Sequence, residues 1–415
     1  MRPMPSRRWW IALLLFAATL LNYLDRQVLA LVTPVLRQEL SLTATGYSHI
    51  LTAFLFGYTF SQLFVGRVID RVGPRRSLII AMIWWSAAGI AAATSRNTWQ
   101  LGLFLFLMGI GEAASWPGSV KAIQEWFSAK QRAVAVGFFN SGSSAGAVLA
   151  PLVVTYLTIR YSWRMAFIAC GCLGFVWLIP WMFLYPASRP NVGETASETS
   201  LPAPISSATL FRDPRTWGVI LARFFGDSIW VFYIFWLPDY LSRVRHMSLS
   251  SIGATAWIPF VAAGIGNMVG GMLSGMFVRK GLPAARSRIL VMAGSAIAMT
   301  SGVGVWFCST PALAIALISF VVFAYSSWAA NVLTVPSDVF PQNAVATVVG
   351  FSGAAGGFGT MLSMLLAGHI IDHYSYLPVF IGLALLPVFA STCSFLTLSS
   401  GKKSSLKNSG WRVDA

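Results

Sequence analysis

Three ionisable side chains stand where such groups are costly. Asp25 and Arg26 lie in Asn22-Tyr23-Leu24-Asp25-Arg26-Gln27, and Glu112 follows Gly109-Ile110-Gly111. The first stretch is enclosed by the apolar run 9–34 and the second by the run 98–121. At the middle of a bilayer-spanning helix, even lenient insertion scales assign a charge a cost of about 2.5–3.5 kcal/mol. These groups must therefore face other helices or a water-filled cavity. Buried carboxyl groups can take up and release protons, and a guanidinium presents a planar fork to a carboxylate. The structural alternatives are an ion pair locking helices together and a Glu hydrogen-bonded to a neighbouring helix. The functional reading is favoured because intramembrane charge commonly marks a substrate or proton pathway. Successive helical residues point about 100° apart, so Asp25 and Arg26 form no compact pair. Asn22, three and four positions earlier, sits beside each. Trp116-Pro117, a turn after Glu112, predicts a bend in that helix.

The elements that must position these residues follow from composition. The chain has 415 residues, 56% of them hydrophobic and only 10% charged, with a mean hydropathy of +0.69; soluble domains carry about 25% charged residues. Twelve apolar runs are expected to span a membrane as helices: 9–34, 47–66, 77–95, 98–121, 133–158 and 163–186, then 213–241, 251–278, 287–308, 311–336, 343–371 and 376–400. The first is too long for a signal peptide and lacks a small-residue cleavage site, so it is read as a span. The net charge of +16 does not imply nucleic acid. Its Lys and Arg residues are scattered through short loops, most on the side of the termini. Only Arg37, Arg96, Arg160, Arg164, Arg243 and Arg245 fall on the opposite side, which predicts cytoplasmic termini. Cys170, Cys172, Cys308 and Cys393 all lie in apolar runs and suggest neither disulfides nor a metal site. No cofactor is expected.

The halves repeat. Glu125-Trp126-Phe127 leads to Gly137-Phe138, Gly142 and Gly146, while Asp338-Val339-Phe340 leads, 213 positions later, to Gly350-Phe351, Gly353, Gly356 and Gly359. The expected fold is an all-α membrane protein of twelve transmembrane helices in two six-helix bundles, 1–186 and 213–400. A cytoplasmic linker, 187–212, and a tail, 401–415, complete it. Parallel repeats of this kind place a substrate path between halves near the midplane.

The loop Gly66-Arg67-Val68-Ile69-Asp70-Arg71-Val72-Gly73-Pro74-Arg75-Arg76 resembles the signature loop of the major facilitator superfamily. In that family it acts as a gating latch, which gives Gly66, Asp70, Arg71, Gly73 and Arg75 structural roles. Gly66 is expected to permit close helix approach, Gly73 a tight turn, and Asp70 contact with a helix N-terminus or an Arg. The helix-1 stretch Asn22 to Gln27, Gly109 to Ala113 with Trp116-Pro117-Gly118, and Phe139-Asn140-Ser141-Gly142-Ser143 are similar to the anion:cation symporter family. Phe235-Trp236-Leu237-Pro238 and Ser337-Asp338-Val339-Phe340-Pro341 are similar to its hexuronate branch. The resemblance implies that Asp25 and Glu112 couple protons and that Arg26 clamps a substrate carboxylate. It also implies that Tyr23, Tyr58, Asn140 and Ser143 line the cavity. Asn22, Trp230, Tyr233, Trp328 and Asn331 complete the candidate site, since aromatic faces stack on sugar rings and Asn both donates and accepts. One position departs from the family: Leu105 stands where relatives commonly carry an Arg, seven residues before the Glu. Arg223 could substitute, although Asp227 four residues later offers it a structural partner.

The favoured reading is proton-coupled uptake of an organic anion, a hexuronate above others, across the inner membrane by a monomer. Another sugar acid or carboxylate and a proton-driven drug exporter are the alternatives within transport. A membrane sensor or intramembrane enzyme is disfavoured, because no soluble domain and no catalytic or metal constellation accompanies the spans.

Overall fold

A computed structural model describes residues 5–186 and 206–399. The predicted tail and most of the predicted linker lie outside these residues. The described chain is helical throughout apart from its turns. The first half runs α1 (Pro5–Glu39), α2 (Ala44–Val72), α3 (Pro74–Ala92), α4 (Thr98–Glu112), α5 (Ser115–Trp126), α6 (Ala129–Arg160) and α7 (Trp163–Leu184). A short α8 (Ser207–Phe211), not anticipated within the linker, precedes α9 (Pro214–Arg243), α10 (Leu249–Thr255), α11 (Ile258–Arg279) and α12 (Ala284–Met299). A 3-10 turn, Thr300–Val303, then leads to α13 (Gly304–Phe307), α14 (Pro311–Val332), α15 (Val335–Val339), α16 (Gln342–His373) and α17 (Tyr376–Ser399). Among the described residues, eleven continuous or broken helical segments are long and apolar enough to cross a membrane. The predicted third span corresponds to α3, a 19-residue helix outside that set.

Helix boundaries follow local chemistry. Thr43, Asn97, Ser162 and Thr310 each accept a backbone N–H of the first turn through the side chain. Gly73 takes φ +84°, a left-handed conformation costly for other residues, and turns the chain directly from α2 into α3 with Pro74 opening the new helix. The predicted bend beside Glu112 is a break: α4 stops at Glu112 and α5 starts at Ser115. α1 has 35 residues and passes through Pro34 without interruption. At about 1.5 Å per residue it exceeds the ~30 Å hydrocarbon core, so Arg7 and Arg37 stand near its two ends.

The described residues form two compact units, one of 5–186 with Phe235–Trp257, the other of 206–234 with 258–399. In the first, α1 packs on α6 and α7, α2 on α4, and α3 on α4 and α7. In the second, α11 packs on α14, and α12 on α14 and α17. A shared contact gives the sequence repeat physical meaning. Gly146 of α6 abuts the backbone carbonyl of Leu20, and Gly359 of α16, 213 positions later, abuts that of Phe224. At both places a Cβ would collide with backbone, so glycine is required for the helices to approach this closely.

Candidate functional site

Glu112 ends α4 with its side chain fully buried, and Arg26 of α1 donates from Nε to Glu112 Oε2 at 2.7 Å. The guanidinium is enclosed by aromatic rings. Its carbon lies 4.4 Å from the Tyr58 ring centre, 5.5 Å from that of Tyr23 and 5.6 Å from that of Phe54. Cation–π contacts of this kind contribute about 0.5–2 kcal/mol each. They hold a cation on rings that a small carboxylate can still approach, because the Arg26 side chain retains 18% exposure. No second carboxylate among the described residues pairs with Arg26. Glu112 Oε1 and Asn22 Nδ2 are sealed from solvent beside one another, without a hydrogen bond of normal geometry. The arrangement is a polar cluster with unused hydrogen-bonding capacity.

Gly109 sets the geometry. A Cβ there would collide with the Phe54 carbonyl and stand 3.0 Å from Tyr58 N, so α4 and α2 touch backbone to backbone. That contact brings the α2 rings over Arg26 and holds Glu112 one turn further along. Leu105 is buried in α4, packed as an apolar residue. Asp25 points elsewhere on α1. It is 7% exposed, has no ion pair among the described residues, and lies near Glu112 and Trp85.

The remaining predicted residues take varied positions. On α6, Asn140 is exposed, and half-buried Ser143 donates to the Asn140 carbonyl at 2.7 Å. In the second unit, half-buried Trp230 stacks on Tyr325 with centroids 6.0 Å apart, and Tyr233 is buried. Trp328 is buried and donates to Ser391 Oγ at 3.0 Å. Asn331 is buried too, and its Nδ2 donates to the carbonyls of Gly270 and Ser327 at 3.1 and 2.8 Å. Arg223 is paired: its Nη2 and Nε reach Asp227 Oδ2 at 2.7 and 3.0 Å.

The signature loop is corrected at two points. Gly66 has no atom within 4 Å of where a Cβ would sit, so it makes no close helix approach. Asp70 accepts from Lys121 Nζ on α5 at 2.9 Å, meeting a Lys rather than an Arg or a helix N-terminus. Gly73 makes the predicted turn. Arg75 donates to the Met182 carbonyl at 3.0 Å, tying the start of α3 to α7, and Arg71 is exposed.

Sequence reasoning missed the ion pair between Arg37 and Asp239. Arg37, read only as a loop charge, grips both oxygens of Asp239 from Nε and Nη2, and its Nη1 donates to the Leu42 carbonyl at 2.8 Å. The Asp239 side chain is completely buried. Beside it, Tyr47 donates to the Phe235 carbonyl at 2.7 Å. The signal was present as an acid within Trp236-Leu237-Pro238-Asp239-Tyr240, but its partner is 202 residues away.

A family model described as Major Facilitator Superfamily matches residues 15–358. The hexuronate transporter of Escherichia coli K12 is 31% identical over 414 residues, 96% of each chain. The galacturonate transporter of Dickeya chrysanthemi is 32% identical over 286 residues, 65% of this chain and 82% of that one. The inward open conformation of the xylose transporter XylE from E. coli superposes with a TM-score of 0.76 at 16% identity, covering 98% of this chain and 100% of that one. At that identity the likeness shows the fold alone. With eleven span-length helices and relatives that are transporters rather than enzymes, the chain is a multi-pass membrane transporter and belongs to the Major Facilitator Superfamily.

Proposed function

We propose that this transporter takes up a sugar acid, foremost a hexuronate such as galacturonate or glucuronate, together with protons across the bacterial inner membrane by alternating access. In this reading the termini are cytoplasmic and the monomer is the working unit. The observation that carries it is the Arg26–Glu112 pair: a partly exposed guanidinium, ringed by Tyr23, Tyr58 and Phe54, whose one carboxylate partner is a buried acid. A proton on Glu112 removes its charge and releases Arg26 to bind the substrate carboxylate. Asp25 is the second proton carrier. Tyr23, Tyr58, Asn22, Asn140 and Ser143 offer hydrogen bonds to sugar hydroxyls. The relatives named for hexuronate and galacturonate support the substrate class.

Energetics favour coupling. Concentrating a monovalent anion against an inside-negative potential of about 100 mV costs about 2.3 kcal/mol from the electrical term. One accompanying proton cancels that penalty, and two would draw on the potential. The test is uptake of radiolabelled galacturonate and glucuronate into proteoliposomes with and without an inward proton gradient, galactonate being added as competitor. Accumulation is expected only with the gradient and not in Arg26→Ala. Equal accumulation without a gradient would overturn coupling, and indifference to every sugar acid would overturn the substrate class.

A further inference from the structure

Trp85 of α3 is 1% exposed, and its Nε1 is sealed from solvent without a hydrogen bond of normal geometry. An indole N–H only donates, so the protein has buried a donor without an acceptor. The acidic group beside it is the Asp25 carboxylate of α1. The stretch of α3 that carries Trp85 is held from two sides. A Cβ on Gly111, one residue before Glu112, would stand 2.9 Å from both Cβ and N of Trp85, so α4 presses directly on α3. On another face, Gly174 of α7 abuts the Ser86 hydroxyl.

The groups facing Asp25 are few. α4 presents Glu112, α7 presents Cys170 and α3 presents Trp85. On its own helix, Arg26 is engaged with Glu112. α6 meets α1 through Gly142, Gly146 and the Ala147 carbonyl. The ionisable groups of α5, Lys121 and Glu125, are bonded to Asp70 and Tyr185. Among the described residues no cation pairs with Asp25.

We propose that Trp85 is the positioning residue of Asp25, its indole N–H receiving the carboxylate when ionised and letting it go when protonated. The inference rests on the reading of Asp25 as a proton carrier. A cation in this place would strongly stabilise the ionised carboxylate, and a hydrocarbon would favour the neutral acid. A fixed neutral donor lies between these extremes: it binds an anionic acceptor more strongly than a neutral one, so the carboxyl group remains able to titrate.

The test is an infrared pH titration of the purified protein, following the protonated-carboxyl band that disappears in Asp25→Asn. Trp85→Phe keeps an aromatic ring and loses the N–H, whereas Trp85→Gln keeps an N–H donor and loses the ring. The midpoint is expected to rise by about one pH unit, tenfold in proton affinity, in Trp85→Phe, and to stay near wild type in Trp85→Gln. Trp85→Met serves in place of the Phe variant if that protein does not insert stably. A wild-type midpoint in the donor-free variant, or equal shifts in the Phe and Gln variants, overturns the positioning role and leaves Asp25 as a carrier. Absence of any titrating band assigned to Asp25 overturns both.

Discussion

Replacing Glu112 by Gln tests the coupling between proton and substrate most directly. The substitution keeps the shape of the side chain and removes its charge, as protonation does. On the proposed mechanism an incoming carboxylate displaces Glu112 Oε2, which holds Arg26 Nε at 2.7 Å with its own side chain fully buried. A hydrogen bond to a charged group contributes about 1.5–3 kcal/mol, which corresponds to about ten- to hundredfold in a binding constant. Glu112→Gln is therefore expected to bind galacturonate ten- to hundredfold more tightly than wild type at alkaline pH, where wild-type Glu112 competes as an anion. Its affinity should vary much less with pH, and counterflow should persist while gradient-driven accumulation is lost. Isothermal titration across a pH series, with counterflow and accumulation in proteoliposomes, gives all three quantities. Wild-type affinity with a wild-type pH dependence would refute the competition between Glu112 and substrate for Arg26.

Other outcomes follow from the same geometry. Arg37→Leu leaves the buried Asp239 carboxylate without its forked partner, so thermal unfolding should reveal a loss of about 3–5 kcal/mol; Arg37→Leu/Asp239→Asn should lose less than the sum of the single changes, and additivity would show the pair to be uncoupled. Gly109→Ala drives a methyl group into the Phe54 carbonyl and should lower both stability and uptake, whereas Gly66→Ala, with open space at that point, should be neutral or gain up to about 1 kcal/mol; similar losses in uptake for the two would refute the packing account. Leu105→Arg places a charge at a buried apolar position and should reduce thermal stability without improving hexuronate affinity; tighter binding would show that the site tolerates the second cation. In the wild type, with Arg223 bonded to Asp227, galactarate should compete weakly for hexuronate uptake, and potent inhibition would refute that pairing under transport conditions.

The chain announces its architecture because a bilayer punishes exposed polarity, so apolar runs, caps and the Gly73 turn carry most of the topology. The break at Glu112 was legible from Gly109, Gly111 and Pro117. The repeat was legible as a spacing, and Gly146 and Gly359 show the spacing to be a backbone contact preserved twice. Partnership was not legible. Nothing in the order of residues says that Arg26 turns to Glu112 while Asp25, its neighbour, faces Trp85, because helix rotation is set by which glycines let which backbones touch. Trp328 and Asn331 illustrate the converse: residue type suggested ligand contacts, and packing gave both of them partners inside the fold. Arg37 and Asp239 sit in separate polar punctuation of the sequence and meet only through the folded chain.

The single-carboxylate pairing of Arg26 also bears on slippage. A symporter wastes energy if it returns across the membrane carrying protons without cargo. On the proposed mechanism, a protonated Glu112 with no substrate present would strand the Arg26 charge among three aromatic rings. A substrate arriving beside an ionised Glu112 would instead crowd two anions around one guanidinium. Both half-loaded states carry unbalanced charge in a poorly solvated place, and both the empty and the fully loaded states are neutral there. Tight stoichiometry, with little futile proton entry when sugar acids are scarce, would then arise from charge neutrality at one residue pair and would need no separate gate to enforce it.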